Sequence, residues 1–438
     1  MIGSKAVGYS RRLLSLKGQL LKTIVLGAGV VGISTAYFLA LAGHQVTVID
    51  RQPQAGQETS FANGGQLSAC QSIPWANPHA PGLLLKWLGR DDAPLVFNPW
   101  KAEAALWSWG LGFLRNCTPG RSRANGERNL HLALHTRQLM AEIIAETGIA
   151  FDYNPRGILQ VFRHKREFES AKRATDWYSQ RGCRVEVRTT EECLALEPAL
   201  DQSRAIISGG IYSPDDACGD AQLFARALAE ACASIGVRFH FDTAITRLSV
   251  MNDKISGVMT SRGMFTANAY VVALGSYSAP LVAPLGIKLP IYPTKGYSVT
   301  LPIEGGNRVP AMSITDEANK LVYSRLGDRL RIAGTAEFVG FDATVTPKRA
   351  QAVLKSALEM FPGSGDPRGA KLWAGLRPLT TDGVPIISRT KYKSLFLNTG
   401  HGTLGWTLGA GSGRLAADLV SGAKPAVEAS DYDLTRFA

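Results

Sequence analysis

The sequence predicts an α/β fold in which one domain, discontinuous along the chain, carries an inserted α+β domain with a largely antiparallel sheet. Three observations predict it. Residues 23–50 read as a strand–helix–strand unit, Gly-rich loop-plus-helix patterns recur at 271–286 and 398–421, and the stretch 290–335 between them is β-rich. At roughly 100–200 residues per domain, 438 residues make two or three domains.

Thr23 to Leu26 is a short β-branched and apolar run that ends at Gly27, the pattern of a buried strand. Gly29 to Ala42 has the small, apolar character of a packed helix, and Gly43 stops it. Gln45 to Ile49 is a second strand, which completes a βαβ unit. Residues 75–125, rich in Trp, Pro and Leu, read as loops and short helices, and 128–147 as an amphipathic helix. Strand 158–162, helix 165–181 and strand 183–187 follow. Asp220 is an N-cap for the helix Ala221 to Ile235, and Val237 to Phe241 returns as a strand. Residues 245–272 read as a β-meander ending in the apolar strand Ala269 to Leu274, and then come helix 347–360, strand Leu395 to Asn398 and helix 409–421. The resulting boundaries are a basic leader at 1–22, the nucleotide-type domain at 23–80, 215–285 and 375–438, and the inserted substrate or cap domain at 81–214 and 286–374.

A formal charge of +12 invites nucleic acid, an anionic membrane surface or acidic ligands as partners. No helix-turn-helix pattern, zinc-finger spacing or lysine-rich tail is present, so nucleic acid is not expected. Six cysteines without a CxxC argue against zinc and a dithiol pair, and read as buried or free thiols in a reducing compartment. His131 and His135 lack a third ligand nearby, so no metal is expected. No apolar run reaches the ~18 residues of a membrane span. The leader holds five basic residues and no acid but lacks an apolar h-region, which disfavours a secretory signal. The expectation is a cytoplasmic protein, with peripheral contact at the inner face of the cytoplasmic membrane compatible with its charge. Residues 81–125, with Trp87, Trp100, Trp107 and Trp109, read as a lid, a membrane-facing region or a core helix cluster.

Gly27-Ala28-Gly29-Val30-Val31-Gly32 is a GxGxxG between a strand and a helix, with Asp50 at the end of the second strand. Gly27 permits the tight turn, Gly29 lets the backbone approach a pyrophosphate, and Gly32 lets helix and strand pack closely. The helix N-terminus offers N–H groups and a positive dipole end to the phosphates, and Asp50 accepts ribose hydroxyls. The unit is Rossmann-like and binds a dinucleotide. Asp50 would repel the 2′-phosphate of NADP, but the motif alone does not separate FAD from NAD.

The segments after it do. Glu58-Thr59-Ser60-Phe61-Ala62-Asn63-Gly64-Gly65-Gln66-Leu67-Ser68, the stretches 72–78 and 85–95, Gly375-Leu376-Arg377-Pro378, and the run 398–413 (NTGHGTLGWTLGAGSG) resemble the D-amino-acid-oxidase-like FAD oxidoreductases. Within that family, the chain from Thr23 onward most resembles the bacterial D-amino acid dehydrogenases of the small-subunit type. Cys70 departs from the pattern, where a proline or glycine-type turn residue is expected. The resemblance implies FAD as cofactor, with Gly27, Ala28, Gly29, Val30, Val31 and Gly32 at the pyrophosphate, Asp50 at the ribose and Arg51 toward the adenine. It puts Thr59, Ser60, Asn63, Gly64, Gly65, Gln66 and Gly375 beside the isoalloxazine. It also implies that Gly400, His401, Gly402, Thr403 and Leu404 present N–H groups to N1 and C2=O of the ring, where reduced flavin is anionic.

An amino-acid substrate has a carboxylate, which an arginine binds best. The resemblance makes Arg325 and Arg377 the candidates, with Tyr297 and Tyr323 as phenolic donors and His401 packed beside the flavin or donating to it. The reaction implied is hydride transfer from Cα of a small D-amino acid, such as D-alanine, to flavin N5, with a neutral amine. The imine then hydrolyses to a 2-oxo acid and ammonia, and electrons pass to a quinone or electron-transfer partner. Three alternatives stand: a glycine, sarcosine or D-proline-type amine oxidase using O2, an NAD-dependent dehydrogenase, and a non-catalytic flavoprotein subunit.

Overall fold

The computed structural model describes residues 20–87, 89, 93–97 and 103–438. Trp100 and residues 1–19 of the leader lie outside them. A six-stranded sheet has the order Ile386–Arg389, Leu395–Thr399, Ala269–Val272, Lys22–Leu26, Gln45–Ile49 and Arg238–His240. All its pairs are parallel except the first, which is antiparallel. Its inner strands Lys22–Leu26, Ala269–Val272 and Leu395–Thr399 are buried on both faces, as a sheet between helical layers requires. Lys22–Leu26 has Gln45–Ile49 on one side and Ala269–Val272 on the other, so a crevice opens where these strands end at Gly27 and Ala273.

The second sheet holds nine strands. The order runs Lys371–Thr380, Ile291–Pro302, Arg329–Glu337, Leu321–Leu326, Ser313–Asp316, Ile158–Phe162, Gly209–Ser213 and Glu186–Arg188, and Leu95–Val96 joins Arg329–Glu337. Its pairs are antiparallel except Ser313–Asp316 with Ile158–Phe162 and Leu95–Val96 with Arg329–Glu337. One face packs on helix Pro347–Met360 through Tyr297, Val299, Leu301, Tyr323, Val353 and Phe361.

The C-terminal helix Gly405–Ser421 joins the layers. A Cβ at Gly413 would lie 2.7 Å from the backbone of Ser34, and one at Gly411 would lie 2.9 Å from the Leu132 carbonyl. Two glycines on different sides thus let this helix touch helix Val30–Leu41 and helix Pro119–Thr147 at backbone range. The helix starts at Gly405, four residues before the expected 409. Helix Pro119–Thr147 starts nine residues before the expected 128, with Pro119 at its first turn, where a missing N–H costs nothing.

Two expected boundaries do not follow the strands. Lys371–Thr380 is one continuous strand of the antiparallel sheet, so a division at 375 cuts through it. Helix Pro119–Thr147, placed with the cap by sequence, covers the parallel sheet's helical layer instead. The apolar strand Ala269–Val272 joins the parallel sheet and leaves a three-stranded meander from Ile245 to Phe265.

Candidate active site

Two cavities share one wall. The first, about 430 Å³, lies over the crevice of the parallel sheet. The second, about 570 Å³, lies against the antiparallel sheet. Neighbouring residues of the same segments face opposite sides of the wall. Leu376 and Pro378 line the first cavity and Arg377 the second. Gly402 lines the first and Thr403 the second, and Asn63 lines both.

In the first cavity Gly27 takes φ 109°, and a Cβ there would lie 2.5 Å from the Ala273 carbonyl. A Cβ at Gly32 would run into the Gly27 carbonyl. Gly32 therefore serves helix–strand packing and does not line the cavity, whereas Gly29, Val30 and Val31 do. Helix Val30–Leu41 gets no side-chain cap from Gly29, so its positive end faces the cavity. Ser60 Oγ accepts from Val30 N–H at 3.2 Å. Asp50 accepts from the N–H groups of Ala28 at 2.6 Å and Gln52 at 2.8 Å, and burial raises its pKa. Arg51 pairs with Glu58 at 2.7 Å and lies 4.1 Å over the Tyr277 ring.

Thr59 Oγ1 donates to the Leu376 carbonyl at 2.8 Å and ties its loop to the second sheet. Asn63 Oδ1 accepts from Gly65 N–H, and Gly65 lines neither cavity because its carbonyl is spent on Gly219 N–H and Trp406 Nε1. Gly375 lines the first cavity, and a Cβ on it would strike the Trp373 ring. His401 is buried and lines it too. Desolvation pushes its pKa down to about 3, so it is a neutral imidazole, and Nε2 has no hydrogen-bond partner among the described residues. Residues 400–404 differ in part from expectation. Gly402 and Leu404 spend their N–H groups on the carbonyls of Pro378 and His401, Gly400 lines neither cavity, and Thr403 and Leu404 face the second.

The second cavity is lined largely by side chains. Gly64 and Gln66 border it, with Gln66 Nε2 shared between Ser313 and Thr315 at 3.0 Å each. Arg377 donates to the carbonyls of Thr335 (2.6 Å) and Gly334 (3.4 Å), and its Cζ lies 5.9 Å from the Trp75 ring centre. Desolvation lowers its pKa to about 10, which still leaves a cation near neutrality. Among the described residues no carboxylate pairs with it. The one acidic residue lining this cavity there, Glu317, pairs with Lys320 at 2.7 Å.

Three expected residues do not belong to this site. Tyr297 is buried under helix Pro347–Met360 and donates to Glu337 at 2.6 Å, and Tyr323 packs on Phe361 in the same core. Arg325 is exposed and among the described residues reaches only the Gly327 carbonyl, at 3.4 Å. The reason is strand parity. Side chains alternate across a sheet, so Val322 faces the cavity and Tyr323 and Arg325 do not, just as Gly296 faces Arg377 and Tyr297 turns away. Sequence reasoning missed Tyr277, Trp373, Trp75 and Thr335 as lining residues. Trp75 lies in the stretch 72–78 that carries the resemblance, and Tyr277 just beyond the apolar strand that ends at Leu274-Gly275, so these two had a local signal and Trp373 and Thr335 had none.

The donor set fits a dinucleotide flavin. It comprises a helix N-terminus for a pyrophosphate, with Ser60 at its first N–H, a carboxylate at the second strand's end, and a buried imidazole nitrogen without a partner among the described residues. The comparisons agree. The family model described as FAD dependent oxidoreductase matches residues 22–419. The chain belongs to this family of FAD-dependent oxidoreductases, and FAD is its cofactor. It is 51% identical over 417 residues to a D-amino acid dehydrogenase of Paramagnetospirillum magneticum, covering 95% of this chain and 99% of that one. It is 44% identical over 418 residues to a D-amino acid dehydrogenase of Bradyrhizobium diazoefficiens, with the same coverage. The fold matches glycine oxidase of Geobacillus kaustophilus with a TM-score of 0.74 at 24% identity, covering 95% of this chain and 98% of that one.

Proposed function

We propose that this enzyme oxidises the Cα–N bond of small D-amino acids such as D-alanine, releasing a 2-oxo acid and ammonia after imine hydrolysis. The observation that carries the reading is Arg377. It is a desolvated arginine in the cavity across the wall from the cofactor cradle, held by two carbonyls and matched by no carboxylate among the described residues. Leaving such a cation unpaired is costly, and a substrate carboxylate completes it. The D configuration rests on the names of relatives at 44–51% identity.

FAD, when bound, would supply the two-electron acceptor for the hydride that leaves Cα. This chain's residues do the rest. Arg377 binds the carboxylate and fixes the substrate's orientation. Neutral His401 closes the wall without adding a charge. No side-chain acid or base is required at Cα.

The acceptor we assign is a quinone or another electron carrier. Leu83, Leu84, Trp87 and Phe113 give the second cavity an apolar border suited to a quinone ring. Helix Ala104–Asn116 buries Trp109 and Phe113 but exposes Trp107, Leu111 and Leu114, with Arg115, Arg121 and Arg123 exposed nearby. This face suits peripheral contact with anionic lipid. Among the described residues no helix is long and apolar enough to cross a membrane.

The test is anaerobic absorbance of the flavin before and after D-alanine, with L-alanine as control. Bleaching by the D-isomer alone, with slow recovery in air and fast recovery with a soluble quinone, is the expected result. Bleaching by glycine or sarcosine with fast recovery in air would move the assignment to an amine oxidase. An unbleached flavin with every amine would overturn it.

A further inference from the structure

Strands Ile291–Pro302 and Arg329–Glu337 pair with a break in register. Lys295 faces Glu337 and Tyr297 faces Gly334. One residue, Gly296, therefore opposes two, Thr335 and Ala336, which is a β-bulge. Thr335 takes φ 55°, and among the described residues the others with positive φ that are not glycine are Asp152, Asp242, Asn252 and Lys320. A β-branched residue in the left-handed region is strained, and where a bulge requires that conformation glycine is the usual occupant. The threonine hydroxyl offers no compensation, since Oγ1 is buried without a hydrogen-bond partner among the described residues.

The strained backbone does have a partner. The Thr335 carbonyl accepts from Arg377 Nη1 at 2.6 Å, and the preceding carbonyl, Gly334, lies 3.4 Å from Nη2. On the facing strand, a Cβ at Gly296 would occupy the space of the guanidinium itself. The bulge turns two successive carbonyls toward Arg377, and Gly296 leaves the slot open. Thr335 borders the second cavity beside Arg377. Strain that persists next to a site is retained because the surroundings over-determine it.

We infer that Thr335 is a positioning residue. Its left-handed backbone holds the Arg377 fork so that the remaining donors meet the substrate carboxylate. This rests on the assignment of Arg377 to that carboxylate, and the test separates the two.

The probe is 2-aminoisobutyrate, an amino acid with no hydrogen on Cα. It is titrated into the flavin-loaded enzyme and followed by the change in flavin absorbance, beside steady-state kinetics with D-alanine. Proline cannot adopt positive φ, so Thr335→Pro removes the bulge conformation, and Gly296→Ala pushes the guanidinium out of its slot. Each should weaken probe binding and raise KM roughly ten- to hundredfold, the loss expected when charge-assisted bonds are misplaced, with kcat changed far less. Thr335→Val keeps the side-chain shape and should bind like wild type. If Thr335→Pro does not retain flavin, Gly296→Ala alone decides. Wild-type binding by Gly296→Ala and by any flavin-loaded Thr335→Pro, while Arg377→Met loses the probe, overturns the inference and spares the carboxylate assignment. A loss in Thr335→Val as large as in the others overturns it too, because the hydroxyl would then be the working group. Unchanged binding by Arg377→Met sinks the carboxylate assignment itself.

Discussion

The two cavities are built on different principles. The first is mostly backbone: a helix N-terminus, glycines where a Cβ would strike a carbonyl, and one carboxylate that holds a turn. The second is mostly side chains, drawn from a loop near Trp75, a bulge at Thr335 and a strand at Arg377 that are far apart in sequence. A backbone site tolerates little change of shape but much change of side-chain chemistry. A side-chain site behaves in the opposite way. If the contrast is right, substitutions in the first cavity act on cofactor retention and those in the second act on turnover.

The largest effect expected is at Gly32. A valine there would drive its Cβ into the Gly27 carbonyl and part helix Val30–Leu41 from its strand. Gly32→Val should purify without flavin, read as the loss of absorbance near about 450 nm relative to the protein band. Retained flavin would break the claim that this cradle depends on close backbone packing.

Next comes Arg377. Arg377→Met should keep a full complement of flavin and lose roughly 10²- to 10⁴-fold in kcat/KM for D-alanine, the range for removing one partner of a desolvated charge pair. The flavin content and the rate are measured on the same sample. Loss of flavin from this variant would blur the division between the cavities.

The same contrast explains how far the sequence could be read. The cradle is a local string, and each residue of GxGxxG has a task set by its own backbone, so the motif in its strand–helix–strand setting leads directly to the crevice. Arg377 was legible through the resemblance of its Gly-Leu-Arg-Pro segment and not through spacing. Thr335 was not legible, because a bulge exists only once two strands are paired and their registers disagree. Tyr297, Tyr323 and Arg325 sit on correctly expected strands but on the wrong face, and a shift of one residue reverses a strand's sides. The boundary at 375 failed for a related reason, since nothing local says which sheet a strand will join.

His401 sharpens the comparison through pH. It is buried on the first cavity's wall with its pKa pushed down to about 3, against ~6.5 in an unfolded chain. Its contribution to stability is complete above about pH 6.5 and is lost as pH falls from there toward 3, because only the unfolded chain takes up the proton. The slope approaches about 1.4 kcal/mol per pH unit below 6. Thermal unfolding of His401→Asn, compared with wild type between about pH 5 and 7, should show a flatter decline on the acid side. Parallel curves would mean that the imidazole is not held neutral.

The smallest effect expected is at Arg325, and its value lies in its pairing with Val322. Both belong to strand Leu321–Leu326, three residues apart and so on opposite faces. Val322 borders the second cavity, and its Cγ2 lies 2.6 Å from where a Cβ on Gly64 would be. Arg325 is exposed, with one long contact to the Gly327 carbonyl. Arg325→Ala should therefore leave kcat/KM within about twofold and stability within ~0.5 kcal/mol, as surface substitutions do. Val322→Phe adds bulk where substrate and the Asn63–Gly64 turn meet, and should raise KM for D-amino acids with large side chains more than for D-alanine. A strong loss in Arg325→Ala, with Val322→Phe silent, would require the opposite face of this strand to meet the substrate, and the register of the sheet against the cofactor domain would have to be redrawn.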